Sequence, residues 1–478
     1  MNRRHAPMRT QPRWFVCALI PLIAGLYWLA VASDHGVVVW LLATVPGVVI
    51  LATGAGLLLW PGDRYLTHYL GLASLVGTLG SVPLMLGTGI VEGLGLFVAA
   101  AGSFLTCGHT VLRQRALPAG VPVPVAGPRI WRKAATDEAL LGFFVTCARI
   151  PVGDDVARDA QEVQALGAIR NRRGTYDLAD RLVAAPAAPS APHIRRRRAA
   201  GREFEWLTFD SGYVPDPGLP GAARWRAHRV NDRMAARVFR HPGRARPWLV
   251  CIHGYRMGVD RLDLSLFGVR YLHERLGLNL MMPILPLHGP RSIARITGGH
   301  FFDGPMVDLL HAQAQALWDI RRCLAWIRVE QPGAEVGALG YSLGGYNAAL
   351  LASVESSLAC VIAGIPLTDI PATIWDHMPL LHRQYIEAQG IDQGRLSALL
   401  APVSPMYRAC AVARERRYIF AATADQLVSP QQPLDLWQHW QRPAIHWYHG
   451  SHLSVRQEPG GHTFIERALR ETGLIGAR

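Results

Sequence analysis

Gly340-Tyr341-Ser342-Leu343-Gly344 is the segment whose residue types and spacing most directly imply chemistry. An apolar run starting at Val336 leads into it, and a helix-forming stretch, 344–354, follows. On a sharp strand-to-helix turn of the pattern G-x-S-x-G, the serine is strained and its hydroxyl stands exposed at the carboxyl edge of a sheet. The helix start favours developing negative charge. The chemistry is attack on an acyl carbonyl, with Ser342 as nucleophile and the amide of Leu343 as an oxyanion donor. A second donor is expected after the apolar run Trp248–His253, which ends in His-Gly. Gly254 lets the chain turn there, and the amide of Tyr255 is the chosen donor. His253 reads as a brace for that loop. Arg256 is a candidate for binding an anionic group of a substrate.

A serine at neutral pH needs a base, and the base needs an orienting carboxylate. The expected chain order is Ser, then Asp or Glu, then His. Asp425 follows the strand-like run Arg417–Ala422, where an acid belongs; Asp369, after the run 358–365, is its competitor. His452 lies on the loop after Ala444–Tyr448 and is the preferred base. His462, at the start of the last helix, is its rival, and His449 reads as structural.

The elements that must hold these residues alternate. Candidate strands are 235–240, 248–253, 278–285, 335–341, 358–365, 417–422 and 444–448. Candidate helices are 263–276, 306–329, 344–354, 431–440 and 462–472. Strands separated by helices imply crossover connections and a mostly parallel sheet flanked by helices. Residues 367–400, with Trp375, Leu380 and Leu381, read as a helical cap.

The first part of the chain is different. The uncharged runs 14–33, 36–62, 66–91 and 93–112 are each near or above the ~20 residues that cross a bilayer as a helix. Four transmembrane helices are expected; for the first, a cleaved signal ending at Ala30-Val31-Ala32-Ser33 is the alternative. The arrangement is a transmembrane region over 1–112, a connector over 113–200 and a catalytic domain over 201–478. Arg3, Arg4, Arg9 and Arg13 precede the spans, and Arg113, Arg115, Arg129, Arg132 and Lys133 follow them. The positive-inside rule then places the catalytic domain in the cytoplasm of a multi-pass cell-membrane protein.

The net charge of +14 does not signal nucleic acid, because Lys133 is the sole lysine and the arginine excess follows a compositional habit rich in Ala, Gly and Pro. No aromatic-interleaved basic motif appears. Arg195-Arg196-Arg197-Arg198, after an Ala/Pro-rich linker, reads equally as a lipid-headgroup contact or as a solvated linker. Seven widely spaced cysteines without C-x-x-C give no disulfide framework or zinc site. No metal or other cofactor is expected.

Four ordered segments carry a family resemblance: Trp248–Gly258, Pro283–Arg291, Gly340–Gly345 and Trp447–Ser454. With them, residues 203–478 resemble the α/β-hydrolase superfamily, and within it the group similar to alpha/beta hydrolase domain-containing protein 18. The resemblance implies an α/β-hydrolase fold after the helical transmembrane unit, and it supports His452 as triad base. Pro286–Arg291 recurs in such proteins, and its structural reading is a loop brace. The expected function is a membrane-anchored serine hydrolase cleaving an ester or thioester of an amphipathic acyl substrate, small molecule or lipid. Acyl transfer by the same triad and a non-catalytic membrane scaffold are the alternatives.

Overall fold

The computed structural model describes residues 14–476. Arg3, Arg4, Arg9 and Arg13, the charges expected before the first span, lie outside them. By contacts the chain forms two units. One comprises Met1–Ala148 with Ala422–Gln431 and Trp447–Glu458; the other comprises Arg149–Ala421, Gln432–His446 and Pro459–Arg478. This division differs from one drawn along the sequence, because the short segments at 422–431 and 447–458 make their contacts with the N-terminal helices.

The first unit is helical: α1 (Trp14–Asp34), α2 (Val37–Leu59), α3 (Arg64–Thr88), α4 (Ile90–Gln114) and α5 (Pro128–Cys147). The first four are long and apolar enough to cross a membrane. Ile50, Leu70 and Cys107 pack in one buried cluster; Trp28, Leu84 and Leu96 pack in another. Other large apolar side chains, such as Leu86 and Val91, point outward.

The sequence places 128–147 in a connector whose middle, 138–148, can be helical. In the structure the whole stretch is a 20-residue helix, with Ala135 and Ala139 buried in the bundle core. Glycines permit that approach: a Cβ on Gly108 would lie 1.8 Å from the carbonyl oxygen of Trp131, and one on Gly142 would lie 2.4 Å from that of His68. Small residues let helix backbones close on one another in this way.

The second unit carries nearly all of a nine-stranded sheet in the order β1-β2-β3-β5-β4-β6-β7-β8-β9. The strands are β1 (His193–Ala199), β2 (Arg202–Asp210), β3 (Arg233–Phe239), β4 (Trp248–Ile252), β5 (Asn279–Pro283), β6 (Val336–Tyr341), β7 (Cys360–Gly364), β8 (Arg417–Ala422) and β9 (Ala444–Tyr448). Pairings from β1 to β3, and between β3 and β5, are antiparallel; those joining β5, β4, β6, β7 and β8 are parallel. Every residue of β4 to β8 is buried, as expected for strands covered on both faces. From β2 to β9 this order, with β5 and β4 exchanged, is that of the α/β-hydrolase fold. Helices Ile370–His377, Leu380–Ala388 and Gln393–Leu400 fill the interval between β7 and β8.

Of the two readings of Arg195–Arg198, the linker is corrected: the run lies in edge strand β1, paired antiparallel with β2, and the Arg197 guanidinium sits 4.3 Å over the Trp206 ring. The helix expected over 263–276 is broken: an α-helix ends at Leu266 and a π-helical turn spans Arg270–Arg275.

The Pro286–Arg291 segment is a brace. Buried Arg291 donates to the carbonyls of Ile284 (2.9 Å) and Asn231 (3.0 Å) and to Asp319 Oδ2 (2.7 Å), while Ser211 donates to Asp319 Oδ1 at 2.6 Å. Replacing Arg291 with Met should destabilise the protein by about 3–5 kcal/mol, because Asp319 is left buried and unpaired. A denaturant or thermal melt in detergent checks this; a wild-type midpoint would contradict it.

Candidate active site

The chain runs β4 then β5 on one side, and returns to β6 on the other. The carboxyl ends of β4 and β6 therefore flank the point where the winding reverses, the place where open α/β sheets bind ligands. Ile252 pairs with Gly340 at that edge. His253-Gly254-Tyr255 leaves β4 there, and Ser342 leaves β6.

Ser342 has φ 58° and ψ −117°, a strained conformation for a residue with a side chain, and it opens helix Leu343–Ala352. The turn is tight enough to exclude side chains around it. A Cβ on Gly340 would sit 1.9 Å from the Gly344 oxygen, and one on Gly344 would sit 1.9 Å from the Ile252 oxygen. Leu343 is the first helical residue, so its amide has no acceptor within the helix. A Cβ on Gly254 would lie 3.5 Å from that of Ser342, so the loop carrying Tyr255 runs directly beside the serine.

His253 is fully buried. Its Nε2 accepts from the Leu285 amide at 3.1 Å, which leaves Nδ1–H to donate to the Gly254 carbonyl at 2.8 Å. Burial pushes its imidazole down to about 3, so it stays neutral and braces the loop. Arg256, in the same loop, has φ 58° and is buried. Its guanidinium lies 3.7 Å from the Asp303 carboxylate and stacks over the Tyr255 ring.

Asp425 and His452 meet: Asp425 Oδ2 is 2.7 Å from His452 Nδ1, and both residues are buried. Asp425 Oδ1 caps its own loop, accepting from the amides of Leu427 (3.0 Å) and Val428 (2.8 Å). Burial alone would lower the His452 pKa. The charge and hydrogen bond of Asp425, with the charge of Asp137, outweigh burial and hold it above the ordinary value. The competing residues are used otherwise. Asp369 caps helix Ile370–His377 by accepting from the Ala372 amide at 2.9 Å. His462 lies in the last helix with its ring against Tyr271, and His449 is exposed. By contacts, Ser342, Leu343, Tyr255 and Arg256 belong to the second unit, and Asp425 and His452 to the first.

One buried carboxylate in this region was missed. Asp137 Oδ1 accepts from Ser451 Oγ (2.9 Å) and the Leu453 amide (3.1 Å); Oδ2 accepts from the amides of His452 (2.8 Å) and Gln426 (3.1 Å). The available signal was the acidic pair Asp137-Glu138 inside an Ala/Leu-rich helix. That marks two buried charges without naming their partners.

No protein-family model matches the chain. Among solved structures it is similar to acetyl xylan esterase 1 from Thermoanaerobacterium sp. JW/SL YS485, with 17% identity, TM-score 0.44, and 63% of this chain and 94% of that one covered. Two proteins of Mycobacterium tuberculosis, "Uncharacterized protein MT2702" and "Uncharacterized protein Rv2627c", are each 38% identical to it over 364 residues, covering 74% of this chain and 86% of theirs. On that shared length and identity, the chain belongs to the same family as these two mycobacterial proteins.

Proposed function

We propose that this protein is a membrane-anchored serine hydrolase that cleaves an ester or thioester of an amphipathic acyl substrate. The observation that carries the reading is the strained Ser342 at the reversal point of the sheet, beside the Gly254-Tyr255 loop. His452, with Nδ1–H directed at Asp425, offers Nε2 as acceptor for the Ser342 proton. The serine oxygen adds to the acyl carbonyl, and the amides of Leu343 and Tyr255 hold the oxyanion. The tetrahedral adduct collapses to an acyl-enzyme as the leaving oxygen or sulfur takes the proton from His452. Water, deprotonated by the same imidazole, then releases the acid and restores Ser342.

The apolar helices α1 to α4 supply the anchor, and the arginines after α4 favour a cytoplasmic hydrolase domain in the cell membrane. Anchoring raises the local concentration of membrane-borne acyl substrates, which is why a lipid or other amphipathic ester is favoured. The four motifs shared with the alpha/beta hydrolase domain-containing protein 18-like group support the same assignment.

The test uses the full-length chain in detergent, treated with a fluorophosphonate probe and then with a panel of acyl esters and phospholipids. Labelling with release of free acid is expected. A wild-type chain that does not label removes the hydrolase reading. Transfer of a labelled acyl group to an alcohol or amine, with no free acid, would replace hydrolysis by acyl transfer.

A further inference from the structure

We propose that Asp137 is a positioning residue, a single carboxylate that fixes both the Asp425 loop and the His452 loop and so makes the N-terminal helices part of the catalytic apparatus. The proposal rests on the serine-hydrolase reading above.

The geometry is specific. Of the four donors on Asp137, the Gln426 amide comes from the loop after β8, while Ser451 Oγ and the amides of His452 and Leu453 come from the loop after β9. The two loops sit 289 and 314 to 316 residues further along the chain. Each oxygen accepts two bonds, and every partner donates. An ionised carboxyl satisfies that set; in a protonated acid the hydrogen would have to face an amide donor or turn the Ser451 hydroxyl, the one partner that can also accept, from donor to acceptor. Burial and the nearby Asp425 charge push the Asp137 carboxyl up, while His452 and the donated amide bonds oppose them. Asp137 is fully buried.

The same helix reaches the bundle through the next residue. Glu138 accepts from Thr67 Oγ1 (2.7 Å) and pairs with His68 Nδ1 (2.6 Å), both on α3. Arginines of the bundle hold the carbonyls of the acid loop. Arg64 donates to Gln426 O at 3.0 Å, and Arg115 donates to Asp425 O at 2.7 Å. Lys133, also on α5, bonds Glu458 and the His449 carbonyl. Arg64, Arg115, Lys133, Glu138 and Glu458 are the other charged groups in these contacts, and the charges that act on the His452 imidazole are those of Asp425 and Asp137. α5 holds loop amides through Asp137 and the His449 carbonyl through Lys133, while Arg64 and Arg115 hold the carbonyls of the acid loop. Neither loop is placed by the sheet alone.

Asp137→Asn removes the charge and two of four acceptor sites, and it turns an NH2 toward amide donors. In the full-length chain in detergent, kcat for a short-chain aryl ester should fall at least about 10-fold with KM little changed. The acid limb of the pH profile should move to lower pH, because His452 loses a neighbouring negative charge. Asp137→Glu keeps the charge and should restore the limb but not the rate. If Asp137→Asn does not fold, Ser451→Ala removes one donor only, and a fall in kcat of a few-fold at constant KM is expected. Wild-type kcat and limb in Asp137→Asn, or wild-type kcat in Ser451→Ala, would overturn the proposal. A wild-type chain that neither labels nor turns over overturns the hydrolase reading and this proposal with it; a reactive wild type with an unaltered Asp137→Asn overturns this proposal alone.

Discussion

Ser342→Ala is expected to abolish fluorophosphonate labelling and to lower ester turnover by at least about 10³-fold, while the protein stays folded. The reaction needs a covalent acceptor for the acyl group, and alanine offers none. Residual rate would come only from substrate binding and the oxyanion donors, with water attacking directly. The fold should tolerate the change for a structural reason. Although Ser342 occupies the N-cap position of helix Leu343–Ala352, its side chain makes no capping hydrogen bond. Its removal therefore lacks the cost, about 1 kcal/mol, of losing a working cap. The strained φ is retained, since alanine meets the same backbone restriction as serine. Thermal melting in detergent should give a midpoint close to wild type, which separates loss of chemistry from loss of structure. Undiminished labelling of the alanine variant would place the nucleophile elsewhere.

Sequence was informative wherever a residue's role is set by its immediate neighbours. The elbow around Ser342 is local: glycines two positions either side, an apolar strand before and a helix after. The buried strands β4 and β7 announce themselves as continuous apolar runs. Asp425 and His452 could be paired on paper because each lies in the loop after a strand-like run, and the fold brings neighbouring strand ends together. Three features were not legible for the opposite reason. Strand β1 is a run of exposed arginines, with no buried face to produce an alternating pattern. The break at Arg270–Arg275 is a change in backbone hydrogen bonding within one apolar helix-like stretch. Asp137 depends on contacts close to 300 residues away, which no local period records. The brace role of Arg291 lies between: its segment was singled out as a loop brace, but its partners Asp319 and Asn231 emerge only in three dimensions.

Asp425→Asn carries the second large expected effect, a fall in kcat of about 10³–10⁴-fold, and its size follows from hydrogen-bond counting. Asp425 must accept on both oxygens. Oδ2 receives His452 Nδ1–H, and Oδ1 receives the amides of Leu427 and Val428. Asparagine has one acceptor oxygen and one NH2. If the oxygen keeps the loop amides, the NH2 faces Nδ1 and selects the tautomer with its proton on Nε2, which cannot take a proton from serine. If the oxygen faces the imidazole, the NH2 opposes two amide donors and the loop opens. Either arrangement disables the base.

The pH profile gives a second reading of the same change. The base must be neutral to act, so kcat/KM rises as pH passes upward through the His452 pKa. In the wild type that limb should lie above the ordinary histidine value of about 6.5, because the carboxylates hold the imidazole up. Without the Asp425 charge, burial is less opposed, and the limb of the residual activity should move to lower pH. Asp369→Asn is the control: asparagine caps a helix as well as aspartate does, so helix Ile370–His377 keeps its cap and activity should change by no more than a few-fold. The reverse pattern, with Asp369→Asn inactive and Asp425→Asn at wild-type rate, would move the acid to the loop after β7. The Asp425–His452 hydrogen bond would then be a structural contact between two loops.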